Sequence, residues 1–162
     1  MPTPTTEADL RWMRLAMQLA EEAGRDREVP VGAVAVHDGV QVGRGRNRRE
    51  KANDPFAHAE MEALSQAVRT LGRARLTGVT LYVTLEPCTM CVGALLLARV
   101  DRVVWGAPSP KAGALGGLHD ATYAAHNHRF EQTSGVAEKE CAELLTRFFG
   151  ELRTEGASED VP

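Results

Sequence analysis

The chain has 162 residues and a mass of 17.6 kDa, enough for one compact domain at the usual ~100 to 200 residues per domain and too little for two. Apolar residues make up 43% and charged residues 25%, which excludes a wholly disordered chain or a fibrous repeat. The net charge of −3, from 19 cations and 22 anions, excludes a surface coated in basic residues for general nucleic-acid binding. Residues 87–98, uncharged but containing Cys88, Thr89 and Gly93, fall short of the ~20 apolar residues of a membrane helix. Met1 to Glu7 lacks the basic and apolar regions of a secretory signal, so a cytoplasmic protein without a membrane partner is expected. Three cysteines, two of them three positions apart, fit a metal or redox site better than a disulfide framework.

In chain order, Thr6 with Asp9 gives a weak capping signal, and Leu10, Met13, Met17 and Ala20 recur at helical spacing up to Gly24. Val31 to His37 and Val40 to Val42 flank Asp38-Gly39, which predicts two antiparallel strands joined by a two-residue turn. A loop from about Asn47 to Ala57 follows. Leu64, Ala67, Val68 and Leu71 then mark a helix ending near Gly72, with His58 at its beginning. Val79 to Leu85 reads as a strand buried on both faces. Pro87 opens a helix over Cys88 to Arg99, and Arg102 to Gly106 is the next strand, so the unit predicts parallel neighbours. A Gly/Pro-rich loop runs to about Gly117, a short helix is expected over Asp120 to Ala125, and Arg129 to Thr133 is a weak strand. Val136, Cys141, Leu144, Leu145, Phe148 and Leu152 give a last helix. One domain over residues 1–153 and a disordered acidic tail over 154–162 are expected. The fold class is α/β, a three-layer α/β/α sandwich with a mixed sheet of about five strands.

The chemistry concentrates in two places. His58-Ala59-Glu60 precedes Pro87-Cys88-Thr89-Met90-Cys91, and each stands at a helix start, so both can face one point. The two sulfurs share a side of the first turn, where the helix macrodipole favours thiolates. With His58 as a neutral third ligand, the set suits one Zn²⁺ per chain and leaves a fourth position open. An open position normally holds water whose pKa zinc lowers from ~15.7 towards ~7. On a regular helix Glu60 would diverge from His58 by roughly 200°. The two converge only if His58 sits at an irregular helix entry, where Glu60 could take the water's proton without ligating the metal. The cysteine pair alone also fits a thioredoxin-like redox couple, and the set also fits a purely structural zinc site. Arg44, Arg46, Arg48, Arg49 and Lys51, against Glu50 alone, give a local charge of +4 that a phosphate would feel despite the negative sum.

H-x-E with P-C-x-x-C is the known signature of zinc nucleobase deaminases, TadA-derived editors among them. From about Glu28 to Phe149 the chain resembles the bacterial tRNA adenosine deaminases, the TadA family. The carrying segments are Glu28 to Val34, Asn47, Asp54-Pro55 leading to His58-Ala59-Glu60, Leu81 to Cys88, Arg102 to Ala107, Lys111, Asn127-His128, Glu140-Cys141 and Phe148-Phe149. The resemblance implies a cytidine-deaminase-like fold, a homodimer, and hydrolysis of the wobble adenosine of a tRNA anticodon stem-loop to inosine, with Glu60 as proton shuttle. It further implies that Asn47 holds the flipped base, that backbone groups near Ala59 and Glu86 orient it, and that Val29 lines the pocket. Ser109, Lys111 and His128 fall on substrate-side positions, and the five cations of 44–51 become candidates for RNA phosphates. Ser109 stands where the family carries Asp, Gly117 where Ser is common, and Phe56 where a small polar residue is usual. A deaminase of free guanine or cytosine carries nearly the same zinc motif and is the alternative. A non-catalytic zinc RNA-binding subunit would lack the shuttle carboxylate, so Glu60 counts against it.

Overall fold

The computed structural model describes residues 3–124 and 126–159. Helix α1 (Glu7–Arg25) begins in a reciprocal cap, the Thr6 hydroxyl accepting from the Asp9 N–H and the Asp9 carboxylate from the Thr6 N–H. Its buried stripe runs Asp9, Trp12, Met13, Ala16, Leu19, Ala20 and Ala23, which leaves the expected Leu10 exposed and Met17 half-buried. The cause is Asp9 itself. It is buried by a bidentate pair with Arg102, at 2.8 and 2.9 Å, and by the Tyr82 hydroxyl, which donates at 3.0 Å, so the helix turns this residue inward. Arg102 also donates to Thr133 Oγ1 at 2.8 Å, joining α1 to three strands of the sheet. Burial alone raises the Asp9 pKa, but the hydrogen bonds from Arg102, Thr6 and Tyr82 override it and hold the carboxyl below its ordinary value.

Strands β1 (Gly32–His37) and β2 (Val40–Arg46) form the expected hairpin, with Asp38 at φ 50° and Gly39 at φ 72°, both in the left-handed region a two-residue turn requires. β2 continues four residues beyond Val42, to Arg46, because Gly43 and Gly45 let helix α2 (Ala59–Leu71) lie directly on its backbone. The sheet order is β2-β1-β3-β4-β5, with β3 (Val79–Leu85), β4 (Arg102–Ala107) and β5 (Glu131–Thr133). β1 is antiparallel to both its neighbours, whereas the β3–β4 and β4–β5 pairs are parallel. Helix α3 (Thr89–Ala98) connects β3 to β4 and ends on Arg99 in the left-handed region. Helix α4 (Glu138–Glu159) follows β5.

The faces of the sheet bury different partners. Ala33, Ala35, Leu81, Val83 and Val103 pack with Ala63, Leu64 and Ala67 of α2 and Val92 and Leu95 of α3. Val34, Val36, Tyr82 and Val104 pack with α1 and with Cys141 of α4. The arrangement is the expected mixed α/β/α sandwich of five strands. Two expectations differ. Asp120 to Ala124 forms turns and no helix, because the Asp120 carboxylate accepts from the Thr122 N–H and hydroxyl and holds the chain in a local turn. Ala125 lies outside the described residues. Helix α4 runs on to Glu159 where a disordered tail from Thr154 is expected, and Glu155 pairs with Arg27, just beyond the C-cap of α1. Residues 160–162 lie outside the described chain.

Candidate metal centre and active site

His58 is the N-cap of α2, with an extended backbone at φ −80° and ψ 151°. Cys88 is the N-cap of α3, also extended, and Cys91 lies in the first turn of that helix. Nδ1 of His58 is 3.6 Å from the sulfur of each cysteine, and the three ligand atoms all lie within 4.8 Å of one another. Metal–sulfur and metal–nitrogen bonds of ~2.3 and ~2.05 Å meeting at the tetrahedral angle place S and N about 3.6 Å apart, so both nitrogen–sulfur spacings match a zinc site. The electrostatics agree. The hydrogen bond from Cys91, with His58 beside it, draws the Cys88 thiol down to about 4, and the Cys88 sulfur together with burial pushes Cys91 strongly up. One thiolate therefore resists a second until a cation joins them. Among the described residues this is the one group of three such side chains close enough to hold an ion.

The extended cap at His58 resolves the helical divergence. The imidazole leaves the chain before the first turn and Glu60 from within it, and both line one cavity of about 360 Å³. Glu60 is buried, and burial raises its carboxyl to about 7 against the opposing pull of its own backbone N–H and of His58. Gly45 secures this corner from beneath, since a Cβ there would stand 2.2 Å from the Ala59 carbonyl oxygen.

Val29, Asn47, Ala59, Glu86 and Ser109 all line the cavity. Asn47 donates through Nδ2 to the Val29 carbonyl at 3.2 Å and accepts from the Arg49 N–H through Oδ1. Lys111 is exposed on the same loop as Ser109 and is not part of the lining. His128 lies away from the cavity, its Nε2 2.7 Å from the Val100 carbonyl oxygen. The basic run divides. Arg46 is committed to Glu22 and Asp26, Lys51 pairs with Asp26, and Arg48 pairs with Glu62. Arg49 lines the cavity, whereas Arg44 lies with Arg48 and the exposed Phe56 in a separate hollow beside α2. Gly117 is a packing requirement in this chain, because a Cβ would lie 2.4 Å from the Ser109 carbonyl oxygen and 2.5 Å from the Glu86 carboxylate.

Sequence reasoning missed Arg27, Glu28, Leu85, Ala112 and Leu152 as lining residues. A carboxylate immediately before the apolar run from Val29 is the signal that could have found Glu28. Leu152, by contrast, sits one turn beyond Phe148 on a helical stripe that reads equally well as core.

Residues 6–107 match the family model described as the cytidine and deoxycytidylate deaminase zinc-binding region. The tRNA-specific adenosine deaminase of Bacillus subtilis is 47% identical over 90% of this chain and 91% of its own length. The tRNA(Ile)-lysidine synthase of Deinococcus deserti is 50% identical over 85% of this chain, which spans only 26% of that longer protein. A structure solved in a study of A-to-I editing by tRNA:A34 deaminases at the wobble position superposes with a TM-score of 0.79 at 45% identity, covering 83% of this chain and 99% of that one.

Proposed function

Because the chain belongs to the cytidine and deoxycytidylate deaminase family and, within it, to the tRNA-specific adenosine deaminases, we propose that it hydrolyses adenosine to inosine at the wobble position of a tRNA anticodon. The reaction breaks the bond from C6 of adenine to its amino nitrogen and forms a C6–O bond, water supplying the oxygen and ammonia leaving. Zinc bound by His58, Cys88 and Cys91 supplies a Lewis acid that lets water release a proton at neutral pH. Glu60, beside the ligands yet not one of them, accepts that proton and gives it to the purine ring nitrogen, then carries the second proton, from the new C6 hydroxyl, to the departing amine. Val29 and Val31 offer apolar contact to the base, and Phe148 and Phe149 close the same cavity from α4. The Asn47 amide, fixed at Val29 and Arg49, retains one N–H and one lone pair for a base edge. A base in an RNA loop is already unpaired and costs less to turn into such a pocket than a paired one.

The observation that carries this reading is the 3.6 Å spacing of His58 Nδ1 from both cysteine sulfurs, with Glu60 lining the same cavity as His58 and Cys88. The 47% identity to a tRNA-specific relative favours RNA over free guanine or cytosine. The test is inosine formation on a minimal anticodon stem-loop, run beside free guanine and cytosine. Conversion of the stem-loop alone is expected, and rapid guanine deamination with an untouched stem-loop would refute the assignment. A homodimer is part of the proposal, supported by the exposed Phe56, Leu97, Leu118 and Tyr123, and light scattering on the purified protein tests it. No helix of the described residues is long and apolar enough to cross a membrane, and a cytoplasmic location is proposed with the tRNA substrate.

A further inference from the structure

Four acidic side chains are buried among the described residues: Asp9, Glu28, Glu60 and Glu86. Asp9 is neutralised by Arg102, and Glu60 belongs to the reaction centre. Glu28 and Glu86 make no ion pair among the described residues, and backbone N–H groups of two loops satisfy them instead. Oε1 and Oε2 of Glu28 accept from Lys51 at 2.6 Å and Glu50 at 3.2 Å. Oε2 of Glu86 accepts from Ser109 at 2.9 Å, while Oε1 accepts from Leu115 at 2.9 Å and Gly117 at 2.8 Å. The space around Glu86 is reserved by glycines, since a Cβ at Gly113 or Gly117 would come within 2.3 or 2.5 Å of its carboxyl group.

The two loops stand around the cavity, one presenting Asn47, Arg49 and Glu50 and the other Ser109 and Ala112. The floor, with His58, Glu60 and Cys88, is set separately by the starts of α2 and α3. A buried carboxylate is costly unless donors surround it, so each acid fixes its loop in the one conformation that supplies those donors. Resting on the RNA substrate proposed above, we infer that Glu28 and Glu86 are positioning residues that preset the two walls for the edge of the reacting base and the nucleotides flanking it. They govern how tightly an RNA loop binds and leave the chemistry at its base to the floor.

The experiment compares the zinc-loaded wild type with Glu28→Gln, Glu86→Gln and Gly117→Ala. Glutamine keeps the volume but points an amide N–H at a backbone donor, and alanine at 117 pushes on the Glu86 carboxylate without changing its charge. Each variant should raise KM and Kd for the stem-loop about tenfold or more, with kcat within about threefold of wild type and zinc near one per chain. A KM within about twofold of wild type, or a kcat and zinc content that fall while KM holds, would overturn the inference. Amide exchange gives a reading that needs no substrate. It should rise about tenfold at Ser109, Leu115 and Gly117 in Glu86→Gln, and at Glu50 and Lys51 in Glu28→Gln, with β1 and β3 unchanged. Unaltered exchange at those amides also overturns it. A wild type that leaves the stem-loop unconverted refutes the proposed substrate, and the exchange rates then decide the positioning role alone.

Discussion

Gly45 offers a direct test of how finely the fold sets the reaction centre. A Cβ at this position of β2 would stand 2.2 Å from the Ala59 carbonyl oxygen, 2.7 Å from Glu62 Cβ and 2.8 Å from the Ala63 nitrogen. Two of these are backbone atoms in the first turn of α2, so no rotamer relieves the contact. Restoring about 3.4 Å to the carbonyl requires the turn and the strand to separate by roughly 1 Å. Overpacking of this kind costs ~1–3 kcal/mol, and 2 kcal/mol lowers Tm by roughly 4–8 °C in a protein of this size. The same displacement carries His58 and Glu60 away from Cys88 and Cys91, and a misplacement of ~1 Å at a reaction centre costs ~10²-fold in rate. Gly43→Ala is the control, because its Cβ would meet the Ala63 carbonyl oxygen at 2.2 Å and the Ala67 nitrogen at 2.9 Å, one turn further from the ligands. Both variants should lose similar stability in thermal melts, and only Gly45→Ala should lose about two orders of magnitude in kcat for inosine formation. A Gly45→Ala enzyme that melts like Gly43→Ala yet turns over within about threefold of wild type would refute the reasoning.

Elemental analysis should find zinc near one per chain in protein purified without chelator, falling to near zero in the Cys88→Ser, Cys91→Ser double variant. A double variant that still holds one equivalent would show that another site binds it. Glu60→Ala should keep zinc and stem-loop affinity while losing ~10²- to 10⁴-fold in kcat, and wild-type turnover would assign the proton to another group. Asp9→Asn strips Arg102 of its buried counter-charge at a cost of ~3–5 kcal/mol in urea unfolding at neutral pH. The folded-state pKa of Asp9 is depressed, so its contribution is present above the unfolded value of ~3.9 and fades as pH falls through the lower folded value. The stability gap between wild type and Asp9→Asn should therefore narrow below about pH 4, and a gap that stays constant would contradict the ion pair's role. Arg49→Ala should flatten the salt dependence of stem-loop binding by ~0.7 in the log–log slope. Arg46→Ala, whose guanidinium is held by Glu22 and Asp26, should leave that slope unchanged and lower Tm instead.

The metal trio was legible because its chemistry is local: two sulfurs one helical turn apart, and a histidine and a carboxylate two positions apart at a helix entry. The hairpin was equally legible in Asp38-Gly39, where both residues take positive φ. Patterns that depend on distant partners were less so. The α1 stripe starts from Asp9, an acid that looks like an exposed cap residue until Arg102, 93 positions away, draws it inward. The basic run reads as one patch in sequence, yet Arg46 and Lys51 answer acids on α1 and its C-cap, while Arg49 reaches the cavity. Glu28 and Glu86 escaped notice as supports because their partners are backbone amides, which every sequence contains.

The contribution of α4 to the cavity has a consequence for the order in which the centre is assembled during synthesis. His58, Cys88 and Cys91 span only 34 residues, inclusive, so the chain can close around a metal ion once β4 has formed. Phe148, Phe149 and Leu152 arrive much later and close the cavity from a helix that packs on the opposite face of the sheet from α2 and α3. Capture of the ion and enclosure of the substrate space are thus separable events on the ribosome. A nascent chain stalled with residues up to 107 outside the ribosome should already retain zinc against a weak chelator while its cavity remains open on the side that α4 covers, and loss of the metal at that length would show that the last helix is needed to hold the ligands together.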